Sequence, residues 1–427
     1  MKKTIWDLIK LLLPMNAEKR HAFEAAAAYL SESDLKLLRQ YLKTDRTFPV
    51  LQKFHTTPGL FEDKEWPFFK SHLQDDGLSK FLAAMNAQIT EKAKREAFLA
   101  FGPNALERIS GVIAPNIIGM DELKMAVALQ LFAKEPVHVL LIGDPGTGKT
   151  DLLRSVHAIA PIASFGLGSG TSGAGLSAMA KGDNIIKGLL PLADNGIACI
   201  DELNLMRAKD MASLYNAMEK GFVTYDKGSK HEQLPARVRV AATANPSGDT
   251  FVGKSAEILR KQIPFDDALL SRFHLIFIVR KPTPEEFERI ASNIIRNDKH
   301  NLSKEDASFI KEYSQYASGL DVQFDPHHEM DIVAFIRQLK SDERNFIVEI
   351  GPRTVVGIMR IVKAVARAEL AQSVDKDHLE RAFRLVRKSL YVRVPEEKRK
   401  SEPKIEKTEQ RIEPKTGQKT GQKEEKA

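Results

Sequence analysis

The chain has 427 residues, 43% of them apolar and 28% charged, with 64 Lys and Arg against 57 Asp and Glu. This composition excludes a wholly disordered chain, a collagen-like fibre and a disulfide scaffold, and the length suits two or three domains of about 100–200 residues each. No run approaches the roughly 20 consecutive apolar residues of a membrane span, so a soluble protein with no membrane partner is expected.

The opening MKKTIWDLIKLLLPM starts like a signal peptide, but Asp7 and Lys10 interrupt its apolar stretch and no small-residue cleavage site follows. An amphipathic helix is the better reading. Cys199 is the only cysteine, so an internal disulfide is impossible and no Cys/His spacing for structural zinc exists. A reducing, cytoplasmic setting is expected, nucleoid-associated if the source is prokaryotic. The formal charge of +7 permits a polyanionic partner without requiring one.

From the N-terminus to Gly102, apolar residues recur at helical spacing in Ala17 to Leu30, Leu35 to Leu42 and Leu78 to Leu99, which predicts an all-helical module over residues 1–102. Between those helices lies a stretch with Phe54, Phe61, Trp66, Phe68 and Phe69, which reads as a loop packed on the bundle rather than a base-stacking surface, because basic residues do not interleave with it. From Val112 to Lys281 the pattern changes to short apolar runs, VHVLLIG, GIACID, VRVAATAN and HLIFIV, separated by helical stretches. Buried parallel strands with crossover helices are expected, an α/β core over residues 103–300. Beyond it, PEEFERIASNIIR, SKEDASFIKEYSQYAS, DIVAFIRQL, RTVVGIMRIVKAVARAEL and DKDHLERAFRLVRKSL regain helical periodicity and predict a helical lid, assigned to residues 301–393. Residues 394–427 form a charged tail whose last 33 positions hold ten Lys or Arg, eight Glu and the repeat KTGQKTGQK, a composition that predicts disorder.

The strongest chemical signal is Gly143-Asp144-Pro145-Gly146-Thr147-Gly148-Lys149-Thr150, placed after an apolar strand, Val137 to Ile142, and before the helical pattern DLLRSVHAIA. In that context it is a phosphate-binding loop: the glycines let backbone N–H groups curl around a β-phosphate at a helix N-terminus, Lys149 neutralises the β/γ oxygens, and the Thr150 hydroxyl ligates Mg²⁺. GIACID ends in Asp201 and Glu202, of which the first is placed to hold Mg²⁺ through water and the second to polarise an attacking water. The strand Val238 to Ala244 ends in Asn245-Pro246, either a polar sensor of the γ-phosphate or a turn. Arg272 precedes the strand LIFIV and could reach a neighbouring subunit's nucleotide. Asp325, His327, His328, Glu329 and Asp331 hold metal-friendly atoms, but Asp325 as N-cap with Pro326 at the first helical position explains them more simply.

These motifs, in this order, resemble the AAA+ superfamily, and IAPNIIGMDELKMAVALQLF, LADNGIACIDELNLM, AATANPS and LLSRFHLIF resemble the minichromosome maintenance (MCM) family of hexameric replicative DNA helicases, from about Phe101 to Leu390. The resemblance implies ATP and Mg²⁺ as cofactors, DNA as partner and self-association into a ring, with a replication protein or a full-length relative as a further partner. By position it makes Lys149 and Thr150 the Walker A pair, Asp201 and Glu202 the Walker B pair, and Asn245 sensor 1. Arg272 matches the arginine finger and Arg353 the sensor 2 arginine, both serving a neighbouring subunit. Lys227 falls on the pore-facing lysine of the pre-sensor 1 hairpin, a candidate contact for a DNA phosphate, though an exposed hairpin lysine has no need of that role. SGTSGAGLSAMAKGDNIIKG is similar to the family's helix 2 insert. Several positions depart from the family pattern: about 100 residues without cysteine, expected to be helical, stand where an OB-fold and zinc ribbon are usual, and no winged helix is expected in the polar sequence after Leu390. Asn204 and Leu205 replace the acid and lysine that follow the paired acids, and His274 replaces the acid after the finger's phenylalanine. The expected function is a DNA translocase; a protein-remodelling ATPase like the magnesium chelatase and MoxR relatives is the alternative, and a non-hydrolytic ring regulator fits less well with a full catalytic set.

Overall fold

The computed structural model describes Glu91 and residues 94–390, apart from 182–183, 228–229, 254, 283 and 297–301. The expected helical module, its aromatic loop and the charged tail lie outside the described residues, except for a helix at 94–101.

The centre is a five-stranded parallel sheet of β1 (Val139–Gly143), β2 (Ala163–Leu167), β5 (Ile197–Asp201), β8 (Arg239–Ala244) and β9 (Leu275–Val279), in the order β2-β5-β8-β1-β9. Two antiparallel hairpins stand outside it, β3 (Ala178–Lys181) with β4 (Asn184–Lys187), and β6 (Phe222–Lys227) with β7 (Lys230–Pro235). Strand β1 is buried at every position because both of its faces are covered. Successive side chains divide between two cores: Val139 and Leu141 join one, Leu140 and Ile142 the other. The first contains Leu129 of α2 (Asp121–Leu129), which follows α1 (Ala105–Val112), and Leu152, Leu153 and Val156 of α3 (Lys149–Ile159). The second contains Leu214, Ala217 and Met218 of α4 (Met211–Lys220).

Beyond β9 come helices α5 (Pro284–Arg296), α6 (Lys304–Ser318), α7 (Glu329–Ser341), α8 (Pro352–Ala368) and α9 (Lys376–Leu390). Tyr313, Phe335, Val362 and Leu385 of this lid lie in the same apolar cluster as Val139 and Leu141, so lid and sheet share one core. The Tyr313 hydroxyl donates to the Ala368 carbonyl at 2.5 Å, and Phe335 stacks on Phe383 with centroids 3.9 Å apart. Helix 94–101 packs on the same lid through Phe98 and Phe101, whose rings lie 5.5 and 4.9 Å from that of Tyr313.

Two elements were not expected from the sequence. Strand β2 is an edge strand with Ser164 and Gly166 inside it, a pattern too polar to stand out as a buried run. The β3-β4 hairpin forms within a Gly- and Ser-rich stretch that reads as loop. At the other extreme, Asp325 does cap its turn, its carboxylate accepting from the His327 amide at 3.0 Å with Pro326 in the first position.

At the entry ends of the central strands sit two imidazoles, His138 buried and His274 partly buried. His138 Nδ1 accepts the Val240 amide at 3.1 Å, and His274 Nδ1 accepts the His138 amide at 3.0 Å. Each ring is therefore neutral. Burial pushes His138 down to about 3, and burial, with His138 and Arg360 nearby, holds His274 well below the usual imidazole range. Because an unfolded histidine takes a proton near pH ~6.5, the stability these rings support is complete above that pH and drains as pH falls through ~6.5 towards the depressed folded values. Thermal unfolding midpoints should drop between about pH 7 and about pH 5, before most carboxylates titrate. A midpoint flat across that window would contradict the neutral pair.

Candidate nucleotide site

Strand β1 ends at the loop Gly143 to Gly148, and α3 begins at Lys149. Gly146 and Gly148 adopt φ of 77° and 84°, left-handed values that turn the chain back into the helix N-terminus. Gly143 is required for a different reason: a Cβ there would lie 2.3 Å from the Val279 carbonyl oxygen of β9. The ammonium of Lys149 folds into the loop, donating to the Gly143 and Asp144 carbonyls at 2.7 and 2.8 Å, with Thr147 Oγ1 at 3.4 Å. Burial lowers its pKa, while Asp144, Asp201 and Glu202 pull it back up.

The Asp144 carboxylate has a structural task. It is buried and accepts the Phe251 amide at 2.8 Å and the Lys281 amide at 3.0 Å, pinning the segment after β8 and the exit of β9 to the loop. Its place in the loop is as backbone.

Asp201 ends β5, next to β8 in the sheet, and is buried. Its Oδ1 accepts the Thr150 hydroxyl at 3.2 Å and the Thr243 hydroxyl at 2.5 Å. Thr243 Oγ1 also accepts the Glu202 amide at 2.9 Å. Glu202 is held at φ 54°, a left-handed conformation for a side-chain-bearing residue, which costs on the order of 1–3 kcal/mol. Sequence reasoning missed Thr243; its signal is a hydroxyl within the otherwise apolar run VRVAATA. Asn204, marked in the sequence only as a departure from the family pattern, accepts the Asn245 amide on its side-chain carbonyl at 3.0 Å and ties the turn after β5 to the end of β8. The structure thus brings Lys149, Thr150, Asp201, Glu202 and Asn245 to the carboxyl ends of three adjacent parallel strands, where ligands of open α/β sheets bind. A hydroxyl and a carboxylate oxygen side by side are hard oxygen donors, and they fit a Mg²⁺ ion.

The two arginines lie elsewhere. Leu275 begins β9 and pairs with Val139, the first residue of β1, so Arg272 sits at the sheet end opposite the phosphate loop. The length of β1, about 16 Å at ~3.3 Å per residue, separates it from Lys149. Arg353, in the first turn of α8, joins it there: its Nη1 donates to Ser271 Oγ at 3.2 Å, and both guanidinium groups bond Glu219 of α4.

Lys227 is the last residue of β6 and pairs with Lys230 at the closing end of the β6-β7 hairpin. Gly221, at φ 74°, caps α4 and leads straight into that hairpin. The insert resembling a pore loop starts with a turn at Gly173–Leu176 and continues into β3-β4. It is moored at two points: just before it the Gly168 amide donates to the Asp201 carbonyl of β5 at 2.7 Å, and within it the Gly173 amide donates to Oδ1 of Asp210, the residue before α4, at 2.7 Å. Among the described residues no group of three or more His, Cys, Asp or Glu is placed to hold a metal ion, and no helix is long and apolar enough to cross a membrane.

A parallel sheet with a phosphate loop on its central strand, paired acids on a neighbouring strand and a helical lid defines a P-loop nucleotide-binding module of the AAA+ class. Two family models match consecutive parts of the chain, the MCM P-loop domain over residues 94–298 and the MCM AAA-lid domain over residues 308–390. The chain belongs to the MCM family. It is 32% identical to the minichromosome maintenance protein MCM of Saccharolobus solfataricus over 320 residues, 70% of this chain and 46% of that protein. Against DNA replication licensing factor MCM4 of Arabidopsis thaliana it is 30% identical over 327 residues, 70% of this chain and 38% of that one. The chain spans less than half the length of these relatives.

Replacing Thr243 with valine keeps the shape but leaves the strained Glu202 amide and one buried Asp201 oxygen without that partner. The expected cost is about 1–3 kcal/mol in chemical denaturation. A Thr243→Val protein as stable as the parent would show that the hydroxyl does not hold this corner.

Proposed function

We propose that the chain is the motor module of an MCM-type helicase or translocase, hydrolysing ATP at the junctions of a ring, a hexamer by family resemblance, and moving on DNA. The observation that carries this reading is the position of Arg272 and Arg353 together at the sheet end remote from their own phosphate loop. Arginines so placed serve a nucleotide held by another subunit, and subunits joined head to tail close into rings.

The loop amides and Lys149 bind the β- and γ-phosphates at the N-terminus of α3. Thr150 and Asp201 would hold Mg²⁺, which would supply charge neutralisation on the phosphate oxygens. Glu202 accepts a hydrogen bond from the attacking water and takes its proton as the bond to the ADP oxygen breaks, and Asn245 orients that water and the γ-phosphate. Arg272 and Arg353 of the adjoining subunit balance negative charge in the transition state. Contact with DNA is assigned to the β6-β7 hairpin at Lys227, supported by its pairing with a second lysine at the hairpin's closing end, and to the β3-β4 insert.

Glu202→Gln should retain ATP binding and lose turnover by at least ~100-fold, since it removes the proton acceptor alone. Normal turnover in that variant overturns the assignment. Arg272→Ala should lose turnover by at least ~100-fold alone while keeping a measurable residual rate, and should regain hydrolysis when mixed with Lys149→Ala subunits, which contribute intact arginines. ATP hydrolysis should rise with single- or double-stranded DNA, and the rise should weaken with salt and with Lys227→Ala, because phosphate contacts release counterions. Hydrolysis indifferent to DNA would instead favour a protein-remodelling motor.

A further inference from the structure

Glu219 is the penultimate residue of α4. A carboxylate there faces the negative end of the helix dipole, which is locally unfavourable. What compensates it comes from two distant parts of the chain. Its Oε2 accepts Nη2 of Arg272 at 2.6 Å, and its Oε1 accepts Nη2 of Arg353 at 3.1 Å, one oxygen for each guanidinium. Arg272 holds the carboxyl below the usual carboxylate range.

The rest of the cluster fixes the same geometry. Tyr215, one turn earlier on the same face of α4, lies under the Arg272 guanidinium with 4.9 Å between cation and ring centroid, and Arg272 Nη1 donates to the Ala268 carbonyl. Ser271, beside Arg272, accepts from Arg353. Two guanidinium groups brought this close repel each other, and a carboxylate shared between them offsets the repulsion. Arg353 is still 54% exposed, so it retains donors for a further acceptor.

We propose that Glu219 is a positioning residue that yokes Arg272 and Arg353 into a single unit, so that both meet the neighbouring subunit's γ-phosphate together. This rests on the ring reading above. Long arginine side chains lose rotamer freedom when they bind phosphate, and prior fixation by Glu219 removes that loss from the hydrolytic step. Without the yoke each arginine has to find its place separately, and the deficit falls on turnover rather than on ATP binding, which belongs to the opposite face.

The test is a double-mutant cycle with mixed rings on the full chain. Glu219 is 45% exposed and alanine is a good helix former, so Glu219→Ala is expected to fold, and its thermal midpoint checks this. Its kcat for ATP hydrolysis should fall about 10-fold with KM for ATP changed less than ~2-fold, and adding it to Arg272→Ala should cost little more, the non-additivity of groups acting as a unit. Mixing Glu219→Ala with Lys149→Ala subunits should restore turnover, because the junction between an intact phosphate loop and an intact arginine pair then exists. Wild-type kcat in Glu219→Ala, a loss that multiplies with Arg272→Ala, or failure of the mixture to regain activity overturns the yoke while Arg272→Ala still complements. If Arg272→Ala itself hydrolyses ATP normally or fails to complement, the ring reading falls and the yoke with it.

Discussion

One carboxylate oxygen organises the nucleotide side of the molecule. Asp201 Oδ1 receives hydroxyls from Thr150, in the first turn of the helix behind the phosphate loop, and from Thr243, last but one in the neighbouring strand. Through those two hydrogen bonds the ends of β1, β5 and β8 are held at a common level, and through Thr243 the same oxygen is linked to the Glu202 backbone. Buried polar groups of this kind are costly unless all are satisfied, which is why a hydroxyl on each side of Asp201 matters more than its small volume implies. Asp144 does similar work on the other side of β1, holding the exits of β8 and β9 to the loop.

Most of the sheet was legible because buried parallel strands are written as continuous apolar runs, and VLLIG, IACID and LIFIV stand out against their flanks. The phosphate loop was legible because its glycines and lysine answer to backbone geometry and charge at fixed spacing. Strand β2 escaped notice because an edge strand needs only one paired side and tolerates Ser164 and Gly166. Thr243, Glu219 and the task of Asn204 escaped for another reason: each acts on a partner 41 to 134 residues away, and no local pattern marks such a pairing. Arg272 was legible from its place before the strand LIFIV and Arg353 from resemblance alone, but their meeting on one carboxylate is a fact of the folded chain.

The lid is not an appendage. Tyr313, Val362 and Leu385 pack into the same apolar cluster as Val139 and Leu141 of the central strand, and α8 carries Arg353 at one end while its Ala368 carbonyl accepts the Tyr313 hydroxyl at the other. A displacement of α8 is therefore felt both by the arginine pair and by the core beneath the sheet. His274 belongs to the same region: its ring packs against α8, where a Cβ on Gly357 would come within 2.7 Å of it.

The left-handed backbone at Glu202 has a consequence for how the sequence is free to drift. Glycine or asparagine would sit there with less strain, so the carboxylate is retained against a local conformational preference of about 1–3 kcal/mol. Exchanging Glu202 for glycine would release that strain. On the proposed mechanism, the acid at this one position is what separates a hydrolysing site from a bare scaffold.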